Sequence, residues 1–214
     1  MRRKAVLIGT ALVFFVLAPV VGRTAGAQTV QEVVQAVEAH YRDLTDVTAR
    51  VSQKNILRSV GRTQTFDGML RIKKPGRLRL EFTNGQLIVV SGKAALLYSR
   101  KSSQVIKRTF TDFEHMNIPV AFLLGAAHIR DDFDVLQPDP KTPRSLELLP
   151  KRTGAAMRKL SIRTDEAGRI LSLTILDRSG NTTEIAFMDF REDTGLDDAQ
   201  FSFSPPKGTE VIEQ

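Results

Sequence analysis

With 214 residues, 42% of them hydrophobic, the chain has the length and apolar content for one domain with a sizeable core. The absence of cysteine excludes disulfides, a catalytic thiol and a lipid-modified N-terminus on this chain itself. The formal charge of +7 drops to +3 once Arg2, Arg3, Lys4 and Arg23 leave with the leader described next; +3 gives no case for nucleic acid and leaves only a mild attraction to anionic headgroups.

Residues 1–27 read as a cleaved export signal. Arg2, Arg3 and Lys4 form a basic start, residues 5–21 an apolar run broken by Gly9, Thr10 and Pro19, and Ala25-Gly26-Ala27 a small-residue cleavage site before Gln28. The run approaches the ~20 residues that span a bilayer, but Pro19, Gly22 and the cleavage site favour removal over an anchor. The twin arginines lack the rest of a folded-export motif. Residues 28–214 are then one soluble domain outside the cytoplasm.

Thr29 and Glu32 form a capping box for a helix whose Val30, Val33, Val34, Val37, Tyr41 and Leu44 recur at helical spacing, one apolar stripe that must lie on something apolar. A first strand follows at 47–52, with Val47, Ala49 and Val51 alternating against polar residues. Residues 66–82, FDGMLRIKKPGRLRLEF, carry the strongest pattern. Phe66, Gly68, Leu70 and Ile72 share one face of one strand, and Leu78, Leu80 and Phe82 one face of the next, joined at a Lys-Lys-Pro-Gly corner. Strands at 87–91 and 94–99 flank Gly92-Lys93, and 104–108 pairs back.

The apolar stretch 113–124 lacks alternation; Pro119 and Gly125 suggest the start and end of a short helix. Residues 138–143 are loop. Strands resume at 146–149, 160–164, 170–176 and 182–190, with turns at 166–168 and 178–181, and Phe201 and Phe203 alternate in a last short strand. The fold class is α+β: an incomplete, half-open antiparallel barrel of about ten or eleven strands, with a helical lid over its concave apolar face.

Enzyme signatures are poor. His40, His115 and His128 have no metal-ligand spacing, and there is no nucleophile elbow or phosphate-binding loop. Asp131, Asp132 and Asp134 lack the remaining spacing of a calcium loop and read as a solvated loop or helix cap. No cofactor and no metal are called for. What remains is binding by shape and burial. Between lid and sheet the pattern allows either a dry core or a cavity for an apolar ligand, since strands and stripe look the same in both.

Several segments, in this order and spacing, resemble the periplasmic outer-membrane lipoprotein carriers (LolA-like) over nearly the whole mature chain. They are Phe66-x-Gly68-x-Leu70-x-Ile72-Lys73-Lys74-Pro75-Gly76-Arg77-Leu78-Arg79, Ile88-Val89-Val90-Ser91-Gly92-Lys93 with Leu97-Tyr98, Leu148-Leu149-Pro150-Lys151, Asp177-x-x-Gly180, and Phe201-x-Phe203-x-Pro205-Pro206-x-Gly208-x-x-Val211. The resemblance implies an unclosed barrel lidded by helices, and a monomer without enzyme activity. It also implies a role in taking acylated lipoproteins from an inner-membrane transporter to an outer-membrane receptor across the periplasm. It further implies that Lys74, where the family commonly carries an arginine, latches the lid through backbone carbonyls; the alternative is a surface lysine at a corner. Leu78 and Leu97 stand where the family often carries aromatics.

Each buried CH₂ is worth ~0.8 kcal/mol, so one acyl chain carries on the order of ten kcal/mol of transfer free energy and does not cross water uncovered. On this reading Leu70, Ile72, Leu78, Leu80, Phe82 and Val89 form the sheet wall, and Val34, Val37, Tyr41, Phe122 and Leu123 line the lid. Arg77 and Arg79 sit on the rim, either solvated or facing acidic patches on donor or receptor. Two alternatives keep the fold: a carrier of glycolipid, phospholipid or another hydrophobic metabolite, and a lipid-sensing module without transport.

Overall fold

A computed structural model describes residues 29–111, 129–136, 142, 144–152, 155 and 157–213. Helix α1, Val30–Asp43, starts at a closed capping box: Thr29 N–H donates to Glu32 Oε2 and Glu32 N–H to Thr29 Oγ1. The two reciprocal bonds satisfy donors that a helix start otherwise leaves orphaned. Its stripe buries Val33, Val34 and Val37.

Twelve strands stand among the described residues. They are β1 Asp46–Leu57, β2 Arg62–Lys73, β3 Arg77–Phe82, β4 Gln86–Ser91, β5 Ala94–Ser99, β6 Gln104–Thr109, β7 Phe133–Leu136, β8 Ser145–Pro150, β9 Met157–Thr164, β10 Ile170–Asp177, β11 Thr182–Glu192 and β12 Glu210–Glu213. A one-turn helix, α2 (Ile129–Asp132), leads into β7. The strands make one sheet in the order β12-β6-β5-β4-β3-β2-β1-β11-β10-β9-β8-β7. Only the β12–β6 pair is parallel. The end strands β12 and β7 do not pair with each other, so the sheet is open, the α+β incomplete barrel expected from the alternation.

Register explains how one face becomes the core. Val47, Ile72, Leu78, Val90 and Ala95 stand side by side across β1 to β5, and Ala49, Leu70, Leu80, Ile88 and Leu97 form the next row. On the other half, Leu146, Ile162, Leu173 and Ile185 align across β8 to β11. These rows pack with Val33, Val34 and Val37 of α1 into the main hydrophobic cluster. The turn between β9 and β10 seats the helix. Gly168 has φ +83° and lies so near α1 that a Cβ there would stand 2.3 Å from the Ala36 carbonyl oxygen.

The strand expected at 201–203 is not formed. A 3₁₀ turn occupies Asp198–Phe201, capped by Asp197 Oδ1 on Ala199 N–H, and Ser202 leaves it in extended backbone. The carbonyls of Gln200 and Ser202 accept from Arg79 Nη1 at 3.3 and 3.0 Å, so a side chain takes the place of a strand ladder. Phe201 is nonetheless buried, as the alternation implied. The two strands absent from the sequence reading are β7, only four residues long, and β12, whose side chains are mostly exposed and so show no apolar alternation.

Candidate functional site

The covered concave face meets its cover at the end of α1. Lys74, at the end of β2, sends its ammonium back to the last turn of the helix, where Nζ donates to the Tyr41 carbonyl and, at 3.2 Å, to the Arg42 carbonyl. The last carbonyls of a helix lack intrahelical donors and carry its negative dipole end, so a cation there both satisfies and neutralises them. Burial lowers the Lys74 pKa from its usual value, opposed by the nearby carboxylates of Asp43 and Asp193.

The backbone beneath this contact is held by a buried carboxylate. Asp46, 3% exposed, accepts from the Thr194 N–H and hydroxyl at 2.9 Å each, from Gly195 N–H at 2.8 Å and from Leu196 N–H at 3.3 Å. Burial pushes its carboxyl up, but the donors of Thr194, Gly195 and Leu196 outweigh that and hold it below the usual range. Asp193 Oδ1 in turn takes the Thr45 N–H and hydroxyl at 2.8 and 2.6 Å. Lys73 Nζ reaches the Leu196 carbonyl and Asp198, both at 2.6 Å. The helix exit, the end of β2 and the segment after β11 are therefore one hydrogen-bonded junction.

On the β10 side, Tyr41 Oη accepts from Ile170 N–H at 3.3 Å. Burial, ahead of that opposing bond, pushes the phenol up to about 12. His40 stands edge-on to the Tyr41 ring at 5.1 Å, with its buried Nε2 3.3 Å from Glu192 Oε1. Arg169 holds Glu192 with two bonds of 2.7 and 3.1 Å and lies over the Phe190 ring. Polar ties at both ends of its last turn thus clip the helix to the sheet.

Leu70, Ile72, Leu78 and Leu80 are buried on the concave face, and Phe82 is half-buried at its margin, edge-on to Phe66. Val34 and Val37 of α1 belong to the same buried cluster, with Tyr41 half-buried against it. Val89 does not join this wall. It pairs with Arg79 rather than with Leu78 or Leu80, so it points to the opposite face, and Val90 and Ile88 take the concave positions. The sequence reading missed this because residues 87–90 are apolar throughout, and alternation cannot choose a face in such a run. Phe122 and Leu123 lie outside the described residues, as do His115, His128 and residues 1–28.

The outer face holds what the sequence did not disclose. Leu87, Val89, Val105 and Phe201 are buried outside the main cluster, and Tyr98 stacks on Phe203 at 5.1 Å. Lys73 and Arg77 both pair with Asp198, at 2.6 and 3.0 Å, and Arg79 holds the carbonyls named above. Arg77 and Arg79, read from the sequence as rim residues facing solvent or partners, instead strap the C-terminal segment across the sheet. Among the described residues no group of three or more His, Cys, Asp or Glu is placed to hold a metal ion. What this arrangement can do is keep an apolar face covered through a few polar ties.

Comparison with known proteins agrees with the fold and the segment order. The sequence profile described as outer membrane lipoprotein carrier protein LolA matches residues 42–204. An outer-membrane lipoprotein carrier protein of Azotobacter vinelandii is 29% identical over 171 residues, 78% of this chain and 82% of its own. One from Neisseria meningitidis serogroup C is 26% identical over 182 residues, 84% of this chain and 86% of its own. Among solved structures, an uncharacterized conserved protein from Thermus thermophilus superposes with a TM-score of 0.53 at 17% identity, covering 87% of this chain and 100% of that one.

Proposed function

This chain belongs to the LolA family of outer membrane lipoprotein carrier proteins, and from that premise we propose that it shuttles acylated lipoproteins across the periplasm. Residues 1–27 direct export and are removed; residues 28–214 act as one monomeric carrier domain. The acyl chains lie against the concave wall of Leu70, Ile72, Leu78, Leu80 and Phe82, under Val34, Val37 and Tyr41 of α1, with Phe122 and Leu123 completing the cover. An inner-membrane lipoprotein-releasing transporter supplies the cargo and an outer-membrane lipoprotein receptor accepts it.

The observation that carries this reading is the Lys74 contact: a helix with an apolar stripe is fastened over an apolar wall by a few polar ties at its last turn, chief among them one ammonium group on two carbonyls. Helix and acyl chain compete for the same surface, so cargo entry requires the helix to lift, and closure helps to drive release. A latch of a few hydrogen bonds, each worth about 0.5–3 kcal/mol net, is weak beside the on-the-order-of-ten kcal/mol of a buried chain. It therefore yields to cargo without demanding a large opening force.

The test is depletion in the native host, followed by membrane fractionation and mass spectrometry of the protein isolated from the periplasm. The expected result is lipoproteins retained at the inner membrane and acylated peptide bound to the wild-type protein. Normal lipoprotein sorting on depletion, with no acylated species ever recovered on the protein, would overturn the carrier role.

A further inference from the structure

Where the end of β8, the start of β9 and the turn after β10 come together, an open cleft of about 450 Å³ is lined by Pro150, Arg152, Ala155, Met157, Arg158 and Arg178. Its size falls within the ~300–1,000 Å³ of small-molecule sites. Three of the six lining residues are arginines and none carries a carboxylate. Arg178, just past β10, is aimed by its own backbone neighbourhood: Nε donates to the Ala155 carbonyl at 2.7 Å, which leaves the terminal N–H groups of the fork for another acceptor. The adjacent Asp177 carboxylate is turned toward the Asn181 N–H and side-chain amide, at 2.8 and 2.9 Å within the turn, rather than ion-paired with Arg178. Arg158 and Arg178 thus bring like charges to one cleft, and an anion bound between them relieves their repulsion.

The floor of the cleft says which kind of anion. Met157 lines it and is also a buried member of the main hydrophobic cluster. The basic rim and the apolar interior therefore meet at one side chain. A guanidinium fork matches the oxygens of a phosphate ester, while the half-buried Pro150 and Ala155, with the almost fully buried Met157, give the cleft its apolar side. We propose that this cleft binds the phosphate group of an anionic lipid, held by Arg158 and Arg178 with its apolar portion against Pro150, Ala155 and Met157. The inference rests on the lipid-carrier reading and adds a headgroup preference to it.

The test uses the mature chain and three soluble probes sharing parts of one structure: octanoylglycerol phosphate, octanoylglycerol and glycerol phosphate, each titrated by calorimetry. The charged lipid is expected to bind at least about tenfold tighter than octanoylglycerol, and glycerol phosphate more weakly than the charged lipid. The double variant Arg158→Gln/Arg178→Gln is expected to lose that tenfold advantage while its octanoylglycerol affinity and melting temperature stay unchanged. Equal affinity of the wild type for the two octanoyl probes, or an advantage that survives in the double variant, overturns the headgroup site and leaves the carrier reading standing. Glycerol phosphate binding as tightly as the charged lipid marks a soluble-anion site and overturns the lipid assignment. Failure of both octanoyl probes to bind overturns the inference and the carrier reading together.

Discussion

Two polar groups shielded from water set how the C-terminal end of α1 responds to pH. Tyr41 is raised to about 12 chiefly by burial, so the neutral phenol is the form the fold prefers. A group raised in the fold contributes stability that is fully present below its unfolded value near 10 and is lost as pH climbs toward 12. The chain has two tyrosines, Tyr41 and Tyr98, so a Tyr98→Phe protein reports Tyr41 alone. Its phenolate absorbance should rise with a midpoint near 12; a midpoint at 10 would mean that the Tyr41 phenol is not buried beneath the helix. Asp46 works in the opposite sense. Its carboxyl is held low, so its contribution is present above the ordinary aspartate value of about 3.9 and disappears as pH falls through its folded value. Asp46→Ala strips the acceptor from three backbone N–H groups and a hydroxyl, an expected cost of about 2–4 kcal/mol in denaturant unfolding at neutral pH. A loss below about 1 kcal/mol would show that water replaces the carboxylate without penalty.

At the scale of elements, α1 is the part whose attachment can be tuned. Lys74→Ala leaves the Tyr41 and Arg42 carbonyls to solvent and removes a cation from the negative end of the helix. Amide exchange across Val30–Asp43 should speed up by about tenfold, the equivalent of 1.4 kcal/mol, while β1 to β5 keep their protection. Uniform acceleration over the whole sheet would instead mean that the helix and strands open as one unit. Gly168→Ala attacks the same element from beneath. Its new Cβ would collide with the Ala36 carbonyl at 2.3 Å, and φ of +83° is strained for alanine, so α1 must shift off the β9–β10 turn. Both variants are expected to take up an apolar dye faster than the wild type; slower uptake by either would contradict a lid role for the helix.

For the whole molecule, the open sheet poses an edge problem that β12 addresses. It adds in parallel to β6 and brings Glu210 and Glu213 to that margin, where Gln104 and Lys107 meet them. Charged, short edge strands discourage pairing between copies. Deleting residues 209–214 uncovers the main chain of β6, and light scattering after size exclusion should then show more self-association than the undeleted chain at the same concentration. A truncated protein that stays monomeric at the same concentration would show that β6 is guarded by something other than β12.

Much of this architecture was legible in the amino-acid sequence. The capping box at Thr29 and Glu32 announced α1, and the alternation of Leu70, Ile72, Leu78 and Leu80 assigned β2 and β3 their inner face, because both signals are local and a period of two or 3.6 is written directly in the chain. Val89 was assigned to the wrong face because a run of four apolar residues has no period, and its orientation follows from pairing with Arg79 across the ladder. Asp46 gave no signal of burial, since its donors come from residues about 150 positions away. The same holds for Arg77, Arg79 and Phe201, whose roles depend on the C-terminal segment folding back over the outer face. Local periodicity, then, determined the elements and most of the inner wall, while contacts between distant segments decided which face each ambiguous residue took and what fastens the cover in place.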